Sequence, residues 1–171
     1  MIAGYPRRLP RTAILLLFAF VCSASNGAFQ AGSLPNPHLT PGDTLAVTVQ
    51  DICIPGYTKL VRQVPAAVKQ QVYAAYGRRP RKSVCCEVDH LISLELGGSN
   101  RAANLWPEPY DILWNARVKD KLENRLHKMV CAGELALPTA QKAIAKDWIA
   151  AYQRYEGAEP TTAEKRKRRR R

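Results

Sequence analysis

The chain has 171 residues, which suits one domain with tails rather than several. Its net charge of +12 is not spread evenly. Arg7, Arg8 and Arg11 lie near the start, and seven more cations form the closing run Lys165–Arg171, so the span from Ser25 to Glu164 carries only +2. A uniformly basic body is thereby excluded.

The first element in chain order is an address rather than structure. Three arginines precede the apolar run Thr12–Val21, and small residues follow at Cys22-Ser23-Ala24-Ser25. That order predicts a secretory signal peptide over residues 1–24, cut after Ala24. The apolar run is shorter than the roughly 20 residues a spanning helix needs, so no stable membrane insertion is expected after cleavage. The protein is expected to be secreted or periplasmic. Residues 25–43 are rich in Ser, Asn, Pro and Gly and read as a linker. A domain is expected over 44–156 and a disordered basic tail over 157–171, because seven like charges repel and bury nothing apolar.

Within the domain, Leu45–Val49 and Ile52–Ile54 look like short strands ending at Pro55-Gly56. Pro65 opens a predicted helix with Val68, Val72, Ala75 and Tyr76 on its apolar stripe and Gly77 past its end. Arg78–Lys82 is a basic loop. Val84–Leu94 is strand-like, Gly97-Gly98-Ser99-Asn100 is a turn signal, and Asn104-Leu105-Trp106 is the return strand, stopped by Pro107 and Pro109. A helix follows from Trp114 to Ala132, with Val118, Leu122, Leu126 and Met129 at spacings of four, four and three. A last helix runs from Thr139 to Tyr155, with Ile144, Trp148, Ile149 and Tyr152 inward. Trp106, Trp114 and Trp148 read as core, with stacking on a base as the other role for Trp106. The fold class is α+β, and the order around the motif is hairpin, then helix.

Five cysteines are present, and Cys22 leaves with the signal peptide. Four remain, and an exported chain with an even count favours disulfides. Adjacent Cys85 and Cys86 bridge each other only with strain. Cys53–Cys131 is the preferred bridge, joining the start of the domain to the end of a helix. A zinc site is the rival, unsupported by any Cys-x2-Cys spacing.

The residues that carry chemistry lie in "EVDHLISLELGGSNRAANLW", from Glu87 to Trp106. Asp89 supplies a hard oxygen suited to Mg²⁺ or Mn²⁺. His90 accepts a proton near neutral pH, which is what activating a water requires. Neighbours in a strand point apart, so both serve one site only where the strand ends or bends. Asn104 offers an amide oxygen to His90 Nδ1–H, which would leave Nε2 as the base. Together these residues suit metal-assisted hydrolysis of a phosphodiester.

This stretch resembles the HNH family of endonucleases, the ββα-metal or His-Me finger fold. The resemblance rests on Asp89-His90, Gly97-Gly98 and Asn104 in that order, and its core covers about residues 85–125. "CIPGYTK" upstream and "KDKLENRLHKMVCAGELAL" downstream also look like small exported bacterial proteins with such a core. The resemblance implies a ββα-metal hairpin-helix core with flanking α-helices, cutting DNA or RNA with one divalent ion and little sequence preference. It implies His90 as general base, Asp89 as metal ligand and Asn104 in support of the histidine. The chain departs from the family where many members have a histidine on the helix. Asn115 stands there as the expected second ligand, with Asp120, Glu123 and Glu87 as alternatives and Arg117 as a phosphate-binding group. The missing histidine favours Mg²⁺ or Mn²⁺ over Zn²⁺. The nucleic-acid partner is also what the basic tail would hold. The rival readings are an inactive nucleic-acid-binding module of the same fold and an envelope-associated protein whose tail binds lipid head groups.

Overall fold

The computed structural model describes Met1 and residues 34–78, 86–157, 159 and 160. The expected signal peptide, the start of the linker, most of the basic loop and the basic run Lys165–Arg171 lie outside these residues. Five α-helices and one two-stranded antiparallel sheet make up the described part: α1 (Val49–Ile52), α2 (Tyr57–Val61), α3 (Ala66–Ala75), β1 (Cys86–His90), β2 (Leu105–Pro109), α4 (Ala116–Cys131) and α5 (Leu137–Tyr155). Two short 3-10 turns, Leu94–Leu96 and Ala102–Asn104, lie in the loop between the strands. The class is α+β, and no helix among the described residues is long and apolar enough to cross a membrane.

The expected strand before Pro55 is not formed. Thr44 makes only an isolated bridge to Gly98, and the chain then turns into α1. Thr48 caps that helix reciprocally with Asp51: Asp51 N–H donates to the Thr48 hydroxyl, and Thr48 N–H donates to the Asp51 carboxylate at 2.7 Å. This Thr-x-x-Asp box overrides the β-branched run. Residues 36–43 do not behave as a linker either. Thr40 is buried, its hydroxyl donates to Leu105 O at 2.9 Å, and Gly42 N–H donates to Ala103 O at 3.0 Å. The segment satisfies the outer side of the interstrand loop, which would otherwise carry unpaired backbone groups.

β1 and β2 pair with Glu87 opposite Glu108, Asp89 opposite Trp106 and His90 opposite Leu105. β2 continues through Pro107 and Pro109, which had been expected to end it. Both strands of a two-stranded sheet are edges. Alternate residues turn their N–H outward, so prolines two apart remove no ladder bond. Side-chain alternation puts Glu87, Asp89, Trp106 and Glu108 on one face and Val88, His90 and Leu105 on the other.

α4 lies on the first face and buries Val118, Leu122, Leu126 and Val130. They join Leu91, Ile92, Leu96, Trp106 and, from α5, Ile144, Trp148 and Tyr152 in one core. Trp114 meets Trp148 and Tyr152 edge-on at 5.9 and 5.4 Å between ring centres. Trp106 is 2% exposed and belongs to this core, so it offers no surface for a base. α5 is broken at Asp147, whose backbone is extended (φ −167°, ψ 96°) and whose carboxylate accepts Ala150 N–H at 2.9 Å. That bond re-caps the second half of the helix. A disulfide joins Cys53, after α1, to Cys131 at the end of α4. Cys86 is also disulfide-bonded, and Cys85 lies outside the described residues.

Candidate functional site

His90 closes β1 and Leu91 begins the loop, so the strand ends where Asp89 and His90 can share one region. His90 Nε2 lies 3.0 Å from Asn100 Oδ1. The Asn100 amide is fixed from its other side: its Nδ2 donates to Val61 O at 2.7 Å, and its Oδ1 also accepts Gln63 N–H at 3.4 Å. The oxygen therefore faces the ring, and the ring donates from Nε2. Nδ1 stands 3.6 Å from Asp89 Oδ1. The expected arrangement is reversed at the ring. Asn100, rather than Asn104, meets the ring, and it does so at Nε2 instead of Nδ1.

Asn104 does a different job. It is fully buried, and its amide makes four bonds. Nδ2 donates to Ile92 O at 2.9 Å and Ser99 O at 3.0 Å; Oδ1 accepts Ile92 N–H at 2.9 Å and Asp43 N–H at 3.4 Å. Its carbonyl accepts Leu91 N–H at 2.8 Å. Asn104 thus clamps the backbone that leaves His90 and never touches the imidazole. Gly98 makes this clamp possible. A Cβ there would fall 1.8 Å from Ile92 O and 2.8 Å from Asn104 Nδ2. Gly97, at φ +77°, supplies the left-handed turn just before it.

Asn115 is the N-cap of α4. Its Oδ1 accepts Arg117 N–H at 3.0 Å and Val118 N–H at 3.3 Å, and its Nδ2 donates to Ile112 O at 2.8 Å. Both lone pairs of the oxygen are occupied, so Asn115 does not fit the role of second metal ligand.

The strongest electrostatic feature is one that sequence reading passed over. Lys119, on α4, is 0% exposed. Its ammonium donates to His90 O at 2.6 Å and to Glu123, and it lies 3.5 Å from both Asp89 Oδ2 and Glu108 Oε2. Burial opposes its charge, but Glu108, Glu123 and Asp89 outweigh that and hold Lys119 well above the ordinary lysine range. Burial also opposes the charge of Asp89. Lys119 prevails and holds the Asp89 carboxyl well below the usual carboxylate range.

Glu108 behaves in the opposite way. It is fully buried, and neither of its oxygens accepts a hydrogen bond from a neighbour. Burial, then the charges of Asp89 and Glu123, raise it well above its usual value against the pull of Lys119. Its neighbour of opposite charge is the Lys119 ammonium, 3.5 Å away. Burial pushes Glu123 up to about 8, again against Lys119. The same ammonium thus faces three carboxyls, of which Asp89 is held low while burial raises Glu108 and Glu123.

Asp120 and Glu87 border Asp89 on the more open side. Crowding around each carboxyl raises it, and the charge of Asp89 raises each further. Arg117 and Arg62 act on Asp120 in the other direction. The charges of Asp120 and Glu87 reach Asp89, but the three carboxyls do not gather as a metal set would need: among the described residues the group whose ligand atoms come that close is Cys53, His127 and Cys131. Arg117 is exposed one turn before Asp120, and Arg62, unnoticed in the sequence, joins it.

Comparison with protein-family models, curated proteins and solved structures finds no match to this chain.

Proposed function

We propose that the protein is an exported endonuclease that hydrolyses phosphodiester bonds of DNA or RNA, built on a ββα-metal core of β1, β2 and α4. The observation that supports this most is the pairing of an ionised Asp89 with a His90 whose Nε2 is tied to Asn100 and whose Nδ1 is turned toward that carboxylate. His90 Nδ1 takes the proton of the attacking water, and Asp89 opposite that nitrogen stabilises the imidazolium that forms. Asn100 holds the ring so that Nδ1 meets the water without rotating. By the family resemblance Asp89 would hold one divalent ion, which when bound neutralises phosphate oxygens and the leaving oxygen, and Asp120 or Glu87 would have to move in to complete its ligands. Arg117 and Arg62 place cations where a phosphate backbone would approach. The Cys53–Cys131 disulfide supports an exported chain, since such bridges persist in oxidising compartments.

A second reading has its own observation. Lys119 stands 3.5 Å from Asp89, and Asn115 is committed to its cap. A chain with these features suits an inactive nucleic-acid-binding module of the same fold. Purified protein incubated with plasmid DNA or RNA and Mg²⁺ or Mn²⁺, beside a His90→Ala variant, separates the two. Cleavage by the wild type alone supports the nuclease. Salt-sensitive binding without cleavage supports the module. Equal cleavage by both proteins would sink the role given to His90.

A further inference from the structure

Toward the C-terminal end of α4, three side chains outside the candidate site converge. His127 and Cys131 are one helical turn apart on α4, and Cys53 follows α1. Ligand atoms of all three lie within 4.8 Å of one another, and His127 Nε2 is 3.3 Å from Cys131 Sγ. The same nitrogen lies 3.1 Å from Ile52 O, and His127 Nδ1 faces Glu95 Oε2 at 3.7 Å. Cys131 is exposed, and Cys53 and His127 are half-buried.

We propose that this clasp has two interchangeable forms: the Cys53–Cys131 disulfide, and a site in the reduced chain where Cys53, Cys131 and His127 hold one Zn²⁺. The conversion needs a thiol or phosphine reductant. The S–S bond breaks and each sulfur gains a proton: two thiols supply the protons and become a disulfide, or a phosphine takes oxygen from one water, whose two protons go to the sulfurs, and becomes its oxide. Zn²⁺ then displaces both thiol protons. The geometry requires little movement. Tetrahedral zinc with bonds of about 2.3 Å to sulfur and about 2.0 Å to nitrogen places S and N about 3.5 Å apart. The Cys131 Sγ to His127 Nε2 distance is already close to that. The two sulfurs must separate from about 2 Å to about 3.8 Å. His127 Nε2 releases the proton it donates to Ile52 O and takes the metal in its place, while the ring proton is carried at Nδ1, which faces Glu95 as the carboxylate partner that metal-bound histidines ordinarily have. Water or Ile52 O completes the four ligands. Its sulfur and nitrogen donors differ from the carboxylate oxygen of Asp89, so this clasp selects a softer ion than Mg²⁺. The consequence is that α1 and α4 stay cross-linked in a reducing compartment as well as an oxidising one.

Cobalt(II) serves as the probe, in a full chain carrying Cys22→Ser, Cys85→Ser and Cys86→Ser so that no other thiol responds. Reduced anaerobically with a phosphine, this protein should take up one equivalent. Thiolate-to-cobalt charge transfer and the visible bands of tetrahedral cobalt should appear, and zinc should abolish both. The oxidised protein should take up none. Glu95→Gln should weaken uptake by ~10-fold or more, and Cys131→Ser should remove the two-thiolate spectrum. His127→Gln keeps the disulfide and hence the oxidised fold, which circular dichroism checks; after reduction it should lose the tetrahedral bands. The proposal is overturned if the reduced parent takes up no cobalt, whether it remains folded or not. It is also overturned if reduced and oxidised proteins bind alike, or if His127→Gln binds as the parent does.

Discussion

Replacing Lys119 with Met tests the central claim about the site, that one buried ammonium sets the charge of Asp89. Met keeps the length and apolar stem of the side chain, so packing against α4 and the hairpin is largely preserved. What is lost is the cation among Asp89, Glu108 and Glu123 and the donor to His90 O. Removing one partner of a buried ion pair costs about 3–5 kcal/mol, because the charge left behind is uncompensated. For a domain of this size, that corresponds to a fall in Tm of roughly 6–20 °C. The effect should depend on pH. Asp89 is depressed in the folded wild type, so its contribution is present above the ordinary aspartate range and is lost as pH falls. In Lys119→Met the same carboxyl has no cation, and the penalty shrinks as acid protonates it. Urea melts of both proteins at pH 7 and at pH 4 should therefore show a gap that narrows toward acid. Glu123, raised to about 8, works in the opposite sense. Its contribution is full below the ordinary glutamate range and is lost as pH rises from there to about 8, and Glu123→Gln should flatten that decline. A pH 7 gap below about 1 kcal/mol, or one that does not change with pH, would refute the account of the cluster.

Asn100→Ala should leave the fold intact and lower the cleavage rate by ~10-fold or more, with the acid limb of the rate–pH profile displaced because Nε2 loses its acceptor; an unchanged profile counts against a positioning role. Gly98→Ala should destabilise the chain by about 1–3 kcal/mol, since the new Cβ meets Ile92 O, and thermal melts read this directly. Asn115→Ser keeps a capping side chain, so activity and metal requirement should both match wild type, whereas Asp120→Asn should raise the Mg²⁺ concentration needed for half-maximal cleavage. The reverse pattern would return the ligand role to Asn115.

Several features of this fold are written plainly in the sequence. The helix over 116–131 follows from its apolar spacing, and the Cys53–Cys131 bridge from cysteine positions at the edges of the domain. The turn at Gly97-Gly98 is legible for the same reason, although the clash a Gly98 Cβ would meet is a long-range fact. The two asparagines are not distinguishable this way. Asn100 and Asn104 lie in one loop, and which of them reaches the imidazole depends on where Val61 and Ile92 present their carbonyls. Lys119 is hidden differently. A lysine in "RVKDKLEN" looks like a solvated helix residue, because charged side chains are almost never fully buried unless paired. Its partners come from β1 and β2, about 10 to 30 positions away, and Glu108 between two prolines gave no sign of being internal. The helix at 49–52 was available as the capping box Thr48-x-x-Asp51, and the β-branched residues beside it drew the reading toward a strand.

The bond from Lys119 to His90 O has a consequence for local opening. The end of β1, the loop behind it and the middle of α4 share one donor, so none can open alone without stranding a buried charge. Amide protons of Leu91, Ile92 and Asn104 should therefore exchange with solvent together with those at the centre of α4, as a single cooperative unit, while the far half of α5 beyond Asp147 follows a separate and faster course.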